Sequence, residues 1–337
     1  MAFPKQWCCT PDRLARFLAG MPALEQLDPF HSIRASQFWK SHSQHLDRLF
    51  QRFDAAYAEP FANWVRETLG GPLETESVFY PFSGPDFLFP HLLSPDAKNY
   101  VLCGLETGDT LFGQVDEGSL PELLQTAAAR ISHFLEHSYF LTEDLRKHDL
   151  AGCLSGILPL LLIFLSRAGR RVHRVQPLAA PKGVAGSVPG IYIEFQNGRT
   201  IGKVFYFQQD LRDMHFSHNS PLFKFVDGCE NCVVFSKSAS YLLHEPYFSK
   251  IRNLIFARGS ILVQDPSSVP YRLLEEAGWV VDLFGCYRGT LPIFNKYEQA
   301  DLVKAYQSSS TSTPLGFGIG YLTDPGSASL MAARRAL

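Results

Sequence analysis

Two stretches of this 337-residue chain repeat one small grammar, and that grammar restricts the fold more than any other feature. The first runs Val78-Phe-Tyr-Pro-Phe-Ser83-Gly-Pro-Asp86-Phe87-Leu88 and, after a short amphipathic piece, Tyr100-Val-Leu-Cys-Gly-Leu-Glu106. The second runs Val233-Val-Phe-Ser-Lys237-Ser238-Ala-Ser240-Tyr241-Leu242 and, after a helical piece, Ile261-Leu-Val-Gln-Asp265. Each reads as an apolar strand, a small polar turn, an aromatic–Leu pair opening a helix, and a second apolar strand ending in an acid. Strands alternating with helices imply an α/β fold with a mixed, mainly parallel sheet flanked by helices. The acids follow their aromatics by 19 and 24 residues, so an internal repeat competes with ordinary βαβ grammar.

Around these units the chain divides into a helical N-terminal arm or cap over 1–72, an α/β body over 73–322 containing the units at 77–106 and 232–265, and a tail over 323–337. In the arm, apolar residues spaced by three and four from Phe38 to Val65 mark a helix with one buried stripe, stopped by Gly70-Gly71-Pro72. Ser119 and Glu122 form a capping box for a helix running to about His137. Leu150 to Ser166 carries no charge, but its glycines and Pro159 favour a buried helix starting near Pro159 over a membrane span. Ile191 to Phe207 alternates apolar residues about Asn197-Gly198 and predicts a β-hairpin with a type I′ turn.

A net charge of −2 gives no general attraction to nucleic acid. The seven cysteines lack the spacing of a disulfide framework, and Met1-Ala-Phe-Pro lacks the charged start and apolar core of a secretory signal. The expectation is a cytoplasmic protein.

In a parallel sheet the strand ends that carry these turns and acids are where ligands bind. The expected cleft is lined by Ser83, Asp86, Glu106, Lys237, Ser238, Ser240 and Asp265. Asp86 and Glu106 would act as acid–base groups or hold a divalent cation; Asp86 would otherwise cap the next helix. Ser83, Lys237, Ser238, Ser240 and Asp265 would bind substrate, with Lys237 and Ser238 meeting an anionic group. The function this suggests is a hydrolase or group transferase acting on a small polar molecule. The alternative is a non-enzymatic ligand-binding or interaction protein, with the aromatic N-terminal helices as a surface for a protein partner.

Two metal readings stand beside these. His133-Phe-Leu-Glu136-His137 matches a zinc-hydrolase pattern, both His sharing a helical face with Glu136 as base. His215 and His218, with Cys229 and Cys232, have zinc-ligand chemistry at a spacing unlike a standard finger. Gly316-Phe-Gly-Ile-Gly320 has no βαβ unit after it and is a weak nucleotide motif.

Overall fold

The computed structural model describes residues 10–24, 28–108, 118, 120–137, 156–179, 188–308 and 314–335. Among the described residues nine strands form one sheet: β1 (Ser77–Tyr80), β2 (Asn99–Gly104), β3 (Arg171–Pro177), β4 (Gly190–Asn197), β5 (Thr200–Gln208), β6 (Cys232–Ser236), β7 (Gly259–Gln264), β8 (Trp279–Gly285) and β9 (Ser329–Arg335). The helices are α1 (Pro11–Leu18), α2 (His31–Arg34), α3 (Gln37–Phe53), α4 (Glu59–Thr68), α5 (Leu88–Leu93), α6 (Leu120–His137), α7 (Leu158–Arg167), α8 (Pro221–Asp227), α9 (Ser249–Arg258), α10 (Tyr271–Glu276) and α11 (Ala300–Ser308).

The strand order is β3-β4-β5-β2-β1-β6-β7-β9-β8. The five central strands, β5-β2-β1-β6-β7, pair in parallel, and antiparallel strands close both sides. This is the mixed, mainly parallel α/β sheet that the strand–helix alternation predicts.

The opening strands of the two βαβ units, β1 and β6, are neighbours. From that pair the chain steps outward in opposite directions, to β2 on one side and β7 on the other. Right-handed crossovers in opposite directions must put their helices on opposite faces. They do so: Phe89 and Leu93 of α5 belong to one core layer, and Ile251, Leu254 and Ile255 of α9 to the other. Strand side chains alternate accordingly, with Val78, Tyr80, Val233 and Phe235 in the first layer and Phe79, Cys232 and Val234 in the second.

The N-terminal helices complete the first layer. Phe61 of α4 meets Phe89, Phe235 and Phe317 edge-on. A π turn at 54–58 links α3 to α4 just before Pro60, whose missing N–H interrupts the regular ladder. α7 is buried from Leu158 to Ser166 with Pro159 in its first turn, and among the described residues no helix is long and apolar enough to cross a membrane. Residues 150–155 and the expected cap Ser119 lie outside the described residues.

Two local expectations are corrected. The hairpin is present, but Asn197 pairs with Thr200, so the two-residue loop is Gly198-Arg199, with positive φ at Gly198 alone. Glycine in the first loop position with an ordinary second residue is the type II′ pattern, not I′. The expected tail contains β9, inserted between β7 and β8 with Leu330 to Ala333 fully buried. Its small alanines carry no strand signature; pairing on both sides makes the strand.

Candidate functional site

The strand order reverses between β1 and β6, and in open α/β sheets the crevice outside the carboxyl ends of such a pair is the usual ligand position. A cleft of about 400 Å³ opens there. It is lined by the turn after β1 (Phe82, Ser83, Gly84, Asp86), the end of β2 (Gly104, Leu105, Glu106) and the turn after β6 (Lys237 to Ser240). Phe134 of α6, Leu291, Ile293 and Phe294 before α11, and Tyr321 before β9 complete it. Six of the seven residues expected from sequence thus line one hollow. The seventh, Asp265, lines an adjoining small pocket and supports the cleft from behind.

The β1 turn is closed by its own hydrogen bonds. Ser83 Oγ donates to the Cys103 carbonyl at 3.2 Å and accepts from the Cys103 amide at 2.9 Å, tying the turn to β2. Gly84 N donates to Cys103 O, Asp86 N donates to Ser83 O, and Pro85 has no N–H. Phe89 N donates to Asp86 Oδ1 at 3.4 Å, so Asp86 caps the start of α5. Its other oxygen faces Lys237 Nζ at 3.1 Å, with both side chains almost wholly buried.

The Lys237 ammonium also lies over the Phe89 ring at 4.4 Å and the Phe134 ring at 5.2 Å. Burial pulls its pKa down and the Asp86 carboxylate pushes it back up. Burial likewise raises Asp86, while Lys237 and the Tyr80 hydroxyl favour its ionised form. An ion pair this dry persists because removing either partner strands the other charge. The cation expected to meet an anionic substrate therefore meets Asp86 inside the wall of the cleft.

The β6 turn is strained and pinned. Ser238, Ser240 and Tyr241 all have positive φ, as does Phe82 across the cleft. Non-glycine residues adopt this region only when the surroundings impose it, and such residues gather at functional sites. Here the surroundings are explicit. Ser238 N donates to Asp265 Oδ2 at 2.9 Å, Ala239 N to Ser267 Oγ at 2.9 Å, and Tyr241 N to the Ser267 carbonyl at 3.0 Å. Asp265 is fixed in turn by the amide and hydroxyl of Ser267. Its pKa is raised by burial against these stabilising bonds.

Tyr321, which sequence reasoning missed, closes the turn from outside. Its hydroxyl donates to Ser238 O at 2.9 Å and accepts from Ser240 N at 3.1 Å, with Ser240 Oγ 2.8 Å away. The signal for it lay in the preceding glycines. A Cβ on Gly318 would run into Thr323 O, and one on Gly320 into Asp265 Oδ2. The Gly-rich stretch is a close-packed crossing behind the site, not a phosphate loop.

Glu106 sits at the far end of the cleft. Tyr206 of β5 donates its hydroxyl to the Glu106 carbonyl at 2.9 Å and to Oε2 at 3.2 Å, which fixes the carboxylate over the end of β2. A side chain at Gly104 would collide with that oxygen. Leu105 beside it is 38% exposed.

The metal readings find no geometry. Among the described residues no three His, Cys, Asp or Glu side chains gather as a metal site, including around Asp86 and Glu106, where a divalent cation was expected. His133 and His137 share a face of α6, ring centroids 4.5 Å apart, but Glu136 and these two gain no further described ligand. His215 lies 3.9 Å from Asp210, His218 packs on Phe223, Cys229 donates to Phe225 O, and Cys232 is buried at the start of β6, so this quartet is dispersed. Comparison with family models, curated proteins and solved structures gave no match.

Proposed function

We propose that the chain is a group-transfer enzyme that holds a nucleoside-bearing donor across the β1–β6 crevice, with the ribose hydroxyls on Glu106. The observation carrying this reading is the place of Glu106: a carboxylate at the end of β2, 22 residues after Gly84 of the first turn, lining the same cleft. In doubly wound sheets an acid at about this distance accepts hydrogen bonds from ribose hydroxyls. The analogy is one of fold position. Leu105 beside the acid offers an apolar surface for the base.

The donor is not a dinucleotide or nucleoside diphosphate. A pyrophosphate needs free amides at a helix start. Here Gly84 N is bonded to the Cys103 carbonyl of β2, Asp86 N to the Ser83 carbonyl, and Phe89 N to the Asp86 carboxylate. Among the described residues lining the cleft, the charged groups are Asp86, paired with Lys237, and Glu106, held by the Tyr206 hydroxyl. With these amides already bonded, a nucleoside whose tail carries no phosphate suits the cleft, and an adenosyl sulfonium is a group donor of that kind. In transfer from such a donor the acceptor's lone pair takes the carbon, the carbon–sulfur pair stays on sulfur as a neutral thioether, and the acceptor loses a proton to water.

Titration calorimetry with S-adenosylmethionine, S-adenosylhomocysteine, ADP and NAD tests the reading. The adenosyl sulfonium and thioether bind and the diphosphates do not, and Glu106→Gln weakens binding by about tenfold or more, as for a charged hydrogen bond. Equal binding of ADP, or a Glu106→Gln variant with unchanged affinity, would contradict it.

A further inference from the structure

Ser238 is held at both backbone polar atoms and not through its side chain. Its N–H donates to Asp265 Oδ2 at 2.9 Å, and its carbonyl accepts from the Tyr321 hydroxyl at 2.9 Å. These bonds keep it at a φ of 52°, a left-handed conformation that is costly for a residue with a side chain. Its hydroxyl oxygen is shielded from water and has no hydrogen-bond partner among the described residues. The neighbouring serines are engaged: Ser83 Oγ with Cys103, Ser240 Oγ with Tyr321 and Ser267 Oγ with Asp265.

Neither the strain nor the unpaired hydroxyl helps the fold. Glycine would adopt the same backbone without strain, and alanine would leave no hydroxyl unpaired. Yet a buried carboxylate, Asp265, is committed to holding this residue in the wall of the cleft. The partner left for the hydroxyl is a ligand in that cleft.

Its position says which part of a ligand. Ser238 follows β6, two strands from Glu106 at the end of β2, or about 10 Å at ordinary strand spacing. A donor with its ribose on Glu106 leaves the space over β1 for the reacting carbon and the space over β6 for the acceptor. Beyond the β6 turn the lining becomes an apolar mouth of Leu242, Leu291, Ile293 and Phe294, with Ile293 79% exposed. Phe294 packs on Tyr241 at 4.9 Å between ring centroids, which fixes this wall to the turn. Among the described residues lining the cleft, the one cation, Lys237, is paired with Asp86 in the wall.

We infer that Ser238 is the polar anchor of the acceptor, a neutral molecule whose hydroxyl or amide head pairs with the serine hydroxyl and whose aliphatic or aromatic body fills the apolar mouth. The word acceptor rests on the group-transfer reading; the anchoring role rests on the turn and the mouth. A serine hydroxyl both donates and accepts, so it pairs with a neutral head of either sense. It does not replace the hydration of a carboxylate or sulfonate, which needs several donors or a cation.

Ser238→Ala and Ser238→Gly separate a ligand-binding serine from a structural one. In urea, Ser238→Gly unfolds at a higher midpoint than the parent, and Ser238→Ala at a midpoint no lower. Titration calorimetry with 2-naphthol, naphthalene and 2-naphthalenesulfonate reads the anchor. The parent binds naphthol about tenfold tighter than naphthalene, and the sulfonate no tighter than naphthalene. Ser238→Ala cuts the naphthol advantage to about twofold or less and leaves naphthalene binding unchanged. A naphthol advantage that survives Ser238→Ala, a sulfonate that binds as tightly as naphthol, or two variants that both unfold below the parent overturns the inference. Its failure is distinct from that of the donor assignment. If S-adenosylhomocysteine does not bind while the naphthol advantage depends on Ser238, the donor assignment falls and the anchor stands; if S-adenosylhomocysteine binds and naphthol gains nothing over naphthalene, the anchor falls and the donor assignment stands.

Discussion

His91 shows how far proton accounting alone can fix a buried network. Tyr100 donates its hydroxyl proton to Ser94 O at 2.7 Å, so its contact with His91 Nδ1 at 3.0 Å needs the histidine as donor. Arg170 approaches Nε2 at 2.8 Å, so that nitrogen accepts. The ring is neutral with its proton on Nδ1. Burial first, and the Arg170 charge second, push its pKa from 6.5 down to about 3. The unfolded chain takes up this proton near 6.5 and the folded one does not. The stabilisation is full above 6.5 and is lost as pH falls towards about 3. Going from 6.5 to about pH 5, the loss from this site is about 2 kcal/mol at roughly 1.4 kcal/mol per pH unit. Urea unfolding near pH 7.5 and pH 5 measures it: His91→Gln is less stable at the higher pH and has a pH dependence smaller by about that amount. An unchanged dependence would mean that His91 ionises freely in the fold. The same accounting exposes what sequence hides. Ser83, Asp86 and Lys237 were legible as polar groups at strand ends, but the spacing could not tell that Ser83 would be tied to Cys103 and Lys237 to Asp86.

The elements differ in how locally they are written. The β4–β5 hairpin and α7 are set by their own periodicity and punctuation, and both form where the pattern puts them. The shared aromatic–Leu pair is less uniform than it reads: Phe87-Leu88 opens α5 directly, whereas Tyr241-Leu242 opens a 3₁₀ turn and α9 begins only at Ser249. β9 has no local signature. Ser329-Leu-Met-Ala-Ala-Arg-Arg lacks β-branched residues, and its strand state depends on partners β7 and β8, one of which is more than sixty residues earlier. A chain ending at Leu322 loses the pairing of both neighbours and four wholly buried residues. The expected result is no cooperative unfolding transition on heating. A truncated chain that melts cooperatively like the parent would show that β9 is dispensable.

At the scale of the molecule, two βαβ units were readable but their arrangement was not. Nothing local says that β1 and β6, some 150 residues apart, become neighbours. That one pairing creates the crevice, brings two strained turns face to face, and sets Glu106 and the apolar mouth at opposite ends. The aromatic N-terminal helices bury Phe17, Phe53, Phe61 and Trp64 in the core. Hydrogen–deuterium exchange with and without saturating S-adenosylhomocysteine tests the shared crevice most directly. Slowed exchange in 82–87, 104–108 and 237–241 together, with the edge strands β3 and β8 unchanged, is the predicted result; protection confined to one turn, or appearing away from all three segments, would contradict it.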